Sequence, residues 1–400
     1  MFKNKKVLIV VSGSVSAYKS ASLVRLLIKQ GASTRVVMTK SAEEFIPSKT
    51  LSILSRYEVL TDLFSSYDRE VVHIEWANWA DYIFVVPATA NIIGKIANGI
   101  ADDAATATIM ASKADKIIAP AMNDAMLNNA AVKRNLDIIK NDGWLIIDPE
   151  YGFLAEGYEA NGRLQEPEKI IAEASIRLQA KLGKLKGKHI VITAGGTVEA
   201  LDPVRYLTNR SSGKMGYALA RAAVEAGCHV TLITTVDKED IYGVTKIFVK
   251  STQEMLDQSM IAFKHADIFI AAAAVSDFRP MTYVEHKIKK QDNYPLQLTL
   301  IQNPDILKTI GSIKNKNQIV VGFAAETQNI VSYGQNKLNQ KNADMIIAND
   351  VSNSEIGFSS DDNSVTIISQ KYSPKVVTKQ SKIKIARIII DSISEIVNTN

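Results

Sequence analysis

Two hydrophobic rhythms alternate along the first half of the chain. Lys6-Val7-Leu8-Ile9-Val10-Val11 is a continuous, largely β-branched run, as expected of a parallel strand buried on both faces. It breaks at Ser12-Gly13-Ser14. Residues 17–30 then carry apolar positions at helical spacing and stop at Gly31, a helix-terminating glycine. A strand over 34–39 completes one βαβ unit, and further strands are predicted at 82–86, 116–119 and 144–147. The second half repeats the grammar: strand 189–193, a break at Ala194-Gly195-Gly196-Thr197, helix 216–225 ending near Gly227, and strand 229–235. An Ala-Asp pair precedes apolar strands at 80–81, 114–115, 266–267 and 343–344. Between the halves, a helix with Pro167 near its first turn runs into the Gly- and Lys-rich stretch 182–187, which reads as a linker. The pattern predicts an α/β protein of two doubly wound domains, 1–186 and 187–400.

Composition narrows the function classes. The 400 residues are 46% hydrophobic and 22% charged, which is ordinary for a globular chain. A net charge of +5 is too slight to point to nucleic acid or a membrane surface. The apolar run after Lys5 and Lys6 reads as a first strand, not a secretory leader, and a cytoplasmic protein is expected. The single cysteine, Cys228, rules out an internal disulfide, and the histidines at 73, 189, 229, 265 and 286 never fall at metal-ligand spacing.

Both halves open with a glycine-containing strand-to-helix loop, which offers backbone N–H groups to phosphate. Neither is a complete G-x-G-x-x-G, and the second strands end in Thr39 and Thr235 with no acid to hold an adenosine ribose, so a nicotinamide oxidoreductase is disfavoured. The hydroxyls of Ser12, Ser14, Thr39, Ser41 and Thr89 suit a mononucleotide phosphate, although helix capping explains any one of them equally well. Ser211-Ser212-Gly213-Lys214-Met215-Gly216 is not a P-loop, because Thr208 stands where the first glycine belongs and Met215 where a magnesium-binding hydroxyl belongs.

The remaining motifs carry a resemblance. His73-Ile74-Glu75 with Trp79-Ala80-Asp81, Pro87-Ala88-Thr89-Ala90-Asn91, and Pro120-Ala121-Met122-Asn123-Asp124-Ala125-Met126 resemble the flavin-dependent cysteine decarboxylases. Asp202-Pro203-Val204-Arg205, Asn209-Arg210-Ser211-Ser212-Gly213-Lys214-Met215-Gly216, Lys287-Ile288-Lys289-Lys290, Asn303-Pro304-Asp305 and Gly322-Phe323-Ala324-Ala325-Glu326-Thr327 look like phosphopantothenate–cysteine ligase. In this order the two sets resemble the bacterial bifunctional coenzyme A biosynthesis family over nearly the whole chain. That resemblance implies a flavodoxin-like or Rossmann-like flavoprotein domain followed by a Rossmann-like ligase domain. The implied substrates are small molecules, namely phosphopantothenate, cysteine, CTP and phosphopantothenoylcysteine. A homo-oligomer is implied as well, a dodecamer of trimeric flavin domains and dimeric ligase domains.

For the ligase half the resemblance implies activation of phosphopantothenate by CTP to an acyl-cytidylate, which cysteine then converts to the amide. A carboxylate attacking a triphosphate calls for cations. Ala273, Asp277, Lys287, Pro304, Asp305, Ile306, Phe323, Lys337 and Lys341 match nucleotide positions, Asp277 also being the expected Mg2+ contact. Lys287 and Asn209 match the family's catalytic positions, Asn209 acting on the acyl-cytidylate. For the other half FMN is implied, held by Ser12, Gly13, Ser14, Thr39, Ser41 and Thr89. His73 matches the catalytic histidine and Asn123 the residue that binds the substrate's amide and carboxylate. One position departs from the family pattern. Gly152-Phe153-Leu154-Ala155-Glu156-Gly157 carries a glutamate where the family has a proton-donating cysteine. Burial beneath a closed lid would favour the protonated form of Glu156 and let it replace the thiol. The alternative is a ligase fused to a flavoprotein half with impaired or oxidative decarboxylation, and a flavin-binding regulator is a third reading that the intact ligase motifs oppose.

Overall fold

In the computed structural model, residues 1–64, 71–289, 296–326, 330–350 and 360–398 are described. They form two compact units, Met1–Arg177 and Leu178–Asn400, divided within the helix Pro167–Lys181.

The first unit is built on β1 (Lys6–Val11), β2 (Ser33–Met38), β3 (Val59–Leu60), β4 (Tyr82–Ala88), β5 (Asp115–Pro120) and β6 (Leu145–Ile146). Among the described residues these make one sheet in the order β3-β2-β1-β4-β5-β6, parallel throughout. This is the Rossmann order, not the flavodoxin one. The predicted strands are present within a residue or two. The short β3 carries too few residues for a hydrophobic period to register. Val7 to Val11 and Ile83 to Val86 are at most 1% exposed, because helices cover both faces of a parallel sheet. A hairpin of β7 (Glu150–Phe153) and β8 (Glu159–Arg163) follows the sheet.

The second unit contains β9 (His189–Ala194), β10 (Val198–Ala200), β11 (Tyr206–Thr208), β12 (His229–Thr234), β13 (Val244–Phe248), β14 (Ile268–Ala271), β15 (Phe278–Pro280), β16 (Leu300–Gln302), β17 (Ile319–Glu326), β18 (Met345–Asp350), β19 (Asp362–Ser369) and β20 (Lys375–Ser381). Its main sheet runs β13-β12-β9-β14-β17-β18-β19-β20. The first six strands repeat the parallel order of the first unit, and β19 and β20 extend the sheet antiparallel. β10 pairs with β11, and β15 with β16, outside that sheet.

The recurrent Ala-Asp pair has a structural reason. Asp81 Oδ2 accepts the N–H of Lys6 (2.8 Å), Asp267 Oδ2 that of His189 (2.8 Å) and Asp344 Oδ2 that of Val320 (2.8 Å). Each aspartate's own N–H donates back to the carbonyl of the same residue, at 2.8 to 2.9 Å. The amino end of a parallel strand would otherwise present an unpaired N–H, and a carboxylate one residue before the neighbouring strand closes it. Asp344 also takes both its oxygens to Lys314 Nζ at 2.7 Å. Asp344→Ala is expected to destabilise the second unit by about 1–3 kcal/mol and Asp344→Asn by less, read from chemical denaturation curves.

Candidate active sites

In the first unit the expected flavin residues converge at the carboxyl ends of β2, β1 and β4, where the strand order reverses and α/β proteins place their ligands. Ser12, 1% exposed, donates to the carbonyl of Pro87 (2.8 Å) and accepts from the N–H of Thr89 (3.0 Å), which locks the β1 loop to the β4 loop. Thr39 Oγ1 lies 3.2 Å from Ser41 Oγ. A Cβ at Gly13 would sit 2.6 Å from Ser41 Oγ, so only glycine allows the two loops this approach. Ser14 and Thr89 also cap the short helices that follow them, accepting from Ser16 and Ile92. Capping and phosphate binding are compatible here, since a helix start aims its N–H groups at the same space. The paired hydroxyls of Ser12 with Thr89 (3.3 Å) and Thr39 with Ser41 (3.2 Å) beside Gly13 have the chemistry that a mononucleotide phosphate needs.

Asn123 follows β5 and caps the helix Asp124–Asn128, its Oδ1 accepting from Ala125 (2.9 Å). That fixes the amide nitrogen toward the hairpin, where it donates to Glu156 Oε1 (3.1 Å) and Tyr158 Oη (2.8 Å). Tyr158 in turn donates to Asp124 (2.6 Å), and this bond to a carboxylate raises its phenol above the ordinary value. The hairpin is anchored by the N–H of Met122 on the carbonyl of Gly162 (3.1 Å). Gly162 has φ +146°, and a Cβ there would lie 2.1 Å from Met122 O. Glu156 therefore does stand beside Asn123, but the expected burial is not found. Of the tip, Leu154 packs inward while residues 155–159 are exposed.

His73 lies on the helix Val72–Trp79, which Arg35 of β2 fastens to the sheet. The Arg35 guanidinium pairs with Glu75 (2.9 Å) and lies over the rings of Tyr57, Trp76 and Trp79 at 4.7 to 5.3 Å. Among the described residues no hydrogen bond or ion pair joins His73 to Asn123 or Glu156.

The second unit holds a cleft of about 940 Å3. Its floor is the loop after β14, tied at successive residues. Ala273 donates to Thr193 Oγ1, Ala274 to the Gly195 carbonyl and Ser276 to Thr197 Oγ1. Asn209 donates to the Val275 carbonyl (2.8 Å) and Asn303 to that of Ser276 (2.9 Å). Beneath it, buried Glu199 accepts from both N and Oγ1 of Thr252. The expected positions Asn209, Ala273, Asp277, Pro304, Asp305, Ile306, Phe323, Lys337 and Lys341 all line this one cleft. Lys287 does not; it is exposed on the segment after β15. Lys290 and Thr327 lie outside the described residues.

Lys337 sits on the helix Ile330–Gln340, and the N–H of Lys341 donates to the Lys337 carbonyl (2.9 Å), so the two lysines share a face. Lys341 is paired with Asp305, which caps the helix Ile306–Ile313 by accepting from Lys308 (2.8 Å). Burial would push the Asp305 carboxyl up, but Lys341 and the Lys308 N–H outweigh it and hold it below the usual range. Sequence reasoning missed Asn349, Asn363 and Lys382 in the cleft wall. They reach it through β18, β19 and the start of the final helix, which carry no motif. Lys382 is 7% exposed and donates to the Ser360 carbonyl; burial, then the neighbouring Lys214 charge, push its ammonium down. Among the described residues no group of three acidic, histidine or cysteine side chains gathers to hold a metal. Asp277 and Asp305 are the acidic residues among those lining the cleft.

The comparisons agree with two catalytic units of different kinds. Residues 1–179 match the family model described as Flavoprotein, and residues 185–397 match the DNA/pantothenate metabolism flavoprotein C-terminal domain. A relative from Bacillus subtilis named coenzyme A biosynthesis bifunctional protein CoaBC is 46% identical over 98% of each chain. Relatives of the same name from Vibrio cholerae (44%, 91% of each chain) and Borreliella burgdorferi (42%, covering 98% of this chain and 99% of that one) match as well. The chain belongs to the bifunctional coenzyme A biosynthesis protein family. Among the described residues no helix is long and apolar enough to cross a membrane.

Asp202 gives this unit a pH signature. Burial would raise its carboxyl, but the N–H groups of Val204, Ile288 and Arg205 and the Arg205 charge hold it below the usual range. A depressed acid contributes stability above its unfolded value, about 4, and loses it as pH falls through the folded value. The wild-type melting temperature is expected to drop more steeply below about pH 4 than that of Asp202→Asn.

Proposed function

We propose that the second unit joins cysteine to phosphopantothenate at the expense of CTP and that the first unit decarboxylates the product to phosphopantetheine with FMN. The observation that carries the ligase half is the gathering of Asn209, Asp277, Asp305, Phe323, Lys337 and Lys341, scattered over more than a hundred residues, into one cleft. Lys337 and Lys341 offset the triphosphate charge, which requires Lys341 to leave Asp305 when the nucleotide enters. Asp277 supports a Mg2+ carried by the nucleotide. Lys287 supplies a further ammonium to the triphosphate. Asn209, a neutral donor held against the loop floor, serves the oxyanion formed as cysteine attacks the acyl-cytidylate.

In the first unit, Ser12, Gly13, Ser14, Thr39, Ser41 and Thr89 hold the FMN phosphate end. Bound FMN supplies reversible hydride transfer at the thiol-bearing carbon, which makes carbon dioxide loss easy. Asn123 orients the substrate's amide and carboxylate, His73 takes the thiol proton, and Glu156 returns a proton to the enethiolate. Support for Glu156 is its hydrogen bond to Asn123, which sets a carboxyl next to the substrate-orienting amide; the hairpin tip, exposed here, must close over the substrate for that carboxyl to hold a proton. The homo-oligomer implied by the resemblance belongs to the same proposal and is read from the mass of the purified protein.

The test is one incubation with phosphopantothenate, cysteine, CTP and Mg2+, followed by mass spectrometry. Phosphopantetheine and CMP are the expected products; their absence with folded, flavin-loaded protein contradicts the reading. Asn209→Ala is expected to slow CMP release by about 10²-fold while leaving decarboxylation of supplied phosphopantothenoylcysteine unchanged. Glu156→Gln should do the reverse, cutting decarboxylation by about 10²-fold with ligation intact. Unchanged decarboxylation in that variant removes the proton-donor role.

A further inference from the structure

Lys287 lies outside the ligase cleft, in a segment with neither helix nor strand, so something must fix where its ammonium goes. The neighbouring peptide is held by an ion pair whose carboxylate is buried. The Asp202 side chain has no exposed surface. Its Oδ1 accepts from the N–H groups of Val204 and Arg205, both at 2.7 Å. Its Oδ2 accepts from the N–H of Ile288 (3.1 Å) and from Arg205 Nη1 (3.2 Å). Arg205 Nη1 also donates to the carbonyl of Ile288 (2.9 Å). Both backbone polar groups of Ile288 are thus taken by one ion pair more than eighty residues away in sequence. A further bond, Val284 N–H to the Leu201 carbonyl (3.0 Å), ties the same segment upstream.

A turn in Asp202-Pro203-Val204-Arg205 needs only Oδ1. The second oxygen and the guanidinium are both directed at the residue next to Lys287. Burying a carboxylate is costly unless its lone pairs are used, and half of this one's bonding capacity goes to Ile288 and to the arginine that grips it.

We propose that Asp202 and Arg205 are positioning residues that clamp the Ile288 peptide and thereby set the reach of Lys287 toward the nucleotide triphosphate. The inference rests on the proposed nucleotide role of Lys287. The clamp acts through one terminal nitrogen of a planar guanidinium, whose two N–H groups serve the carboxylate and the carbonyl together.

The test is a double-mutant cycle on the full-length, FMN-loaded chain: Asp202→Asn, Lys287→Gln and the pair, assayed for CTP-dependent pyrophosphate release at varied CTP. Decarboxylation of supplied phosphopantothenoylcysteine by the same preparations reports that the protein is intact. Asp202→Asn is expected to lower kcat/KM for CTP by about 10²-fold, as misplacement of a catalytic group does, with the double variant no worse than Lys287→Gln alone. A double variant that loses the product of the two single effects overturns the clamp. Lys287→Gln without effect overturns the Lys287 role itself, and the clamp with it. If Asp202→Asn does not fold, Arg205→Lys replaces it in the cycle. Arg205 is 38% exposed, and its lysine variant keeps the charge but loses the fixed donor directions of the planar guanidinium. A smaller loss, again non-additive with Lys287→Gln, is expected there, and additivity again overturns the proposal.

Discussion

A parallel strand buried on both faces has no side chain to spare for chemistry. Every residue of β1 from Val7 to Val11 is within the core, and the same holds for Ile190 to Ile192 of β9. Function must therefore leave the sheet along its edges, and the connection rule makes the two edges unequal. At the amino edge, the carboxylates of Asp81, Asp267 and Asp344 are spent on closing strand ends. At the carboxyl edge the loops stay open, and both proposed sites lie there.

The two units use that edge with different electrostatics. The first offers neutral hydroxyls and backbone N–H groups around Gly13, a surface that accepts one phosphate end without strong fields. The second gathers ammonium groups, among them two in ion pairs: Lys341 with Asp305 and Lys214 with Asp361. Such pairs keep partly buried cations satisfied when no nucleotide is present. On the proposed reading a polyanion exchanges partners with these side chains over a loop floor fixed by Thr193, Thr197, Asn209 and Asn303. Fixed backbone under exchangeable charges would suit the proposed binding of a triphosphate and release of pyrophosphate.

Much of this was legible in the sequence because the periodicities are strong. The uninterrupted apolar runs at 6–11 and 189–193 announced buried strands, and the glycine breaks after them announced the loops that carry chemistry. The motifs marked a good part of the ligase cleft. What escaped reading depends on distance in space. β19 and the start of the final helix bring Asn363 and Lys382 to the cleft with no local signal, and Asp202 meets Ile288 only after the whole unit has folded. Glu156 shows the opposite case. Its place beside Asn123 followed from the motif order, yet its exposure depends on how a hairpin tip packs, and sequence carries no period for that.

Two chemically separate sites in one chain, each built from its own unit, should complement one another between molecules. A chain altered at Asn123 (Asn123→Ala) is mixed with a chain altered at Lys341 (Lys341→Gln), and the mixture is given phosphopantothenate, cysteine, CTP and Mg2+. Phosphopantetheine is expected in the mixture although neither variant alone makes it at an appreciable rate. A mixture as inactive as its components, with both proteins folded and flavin-loaded, would contradict this separation.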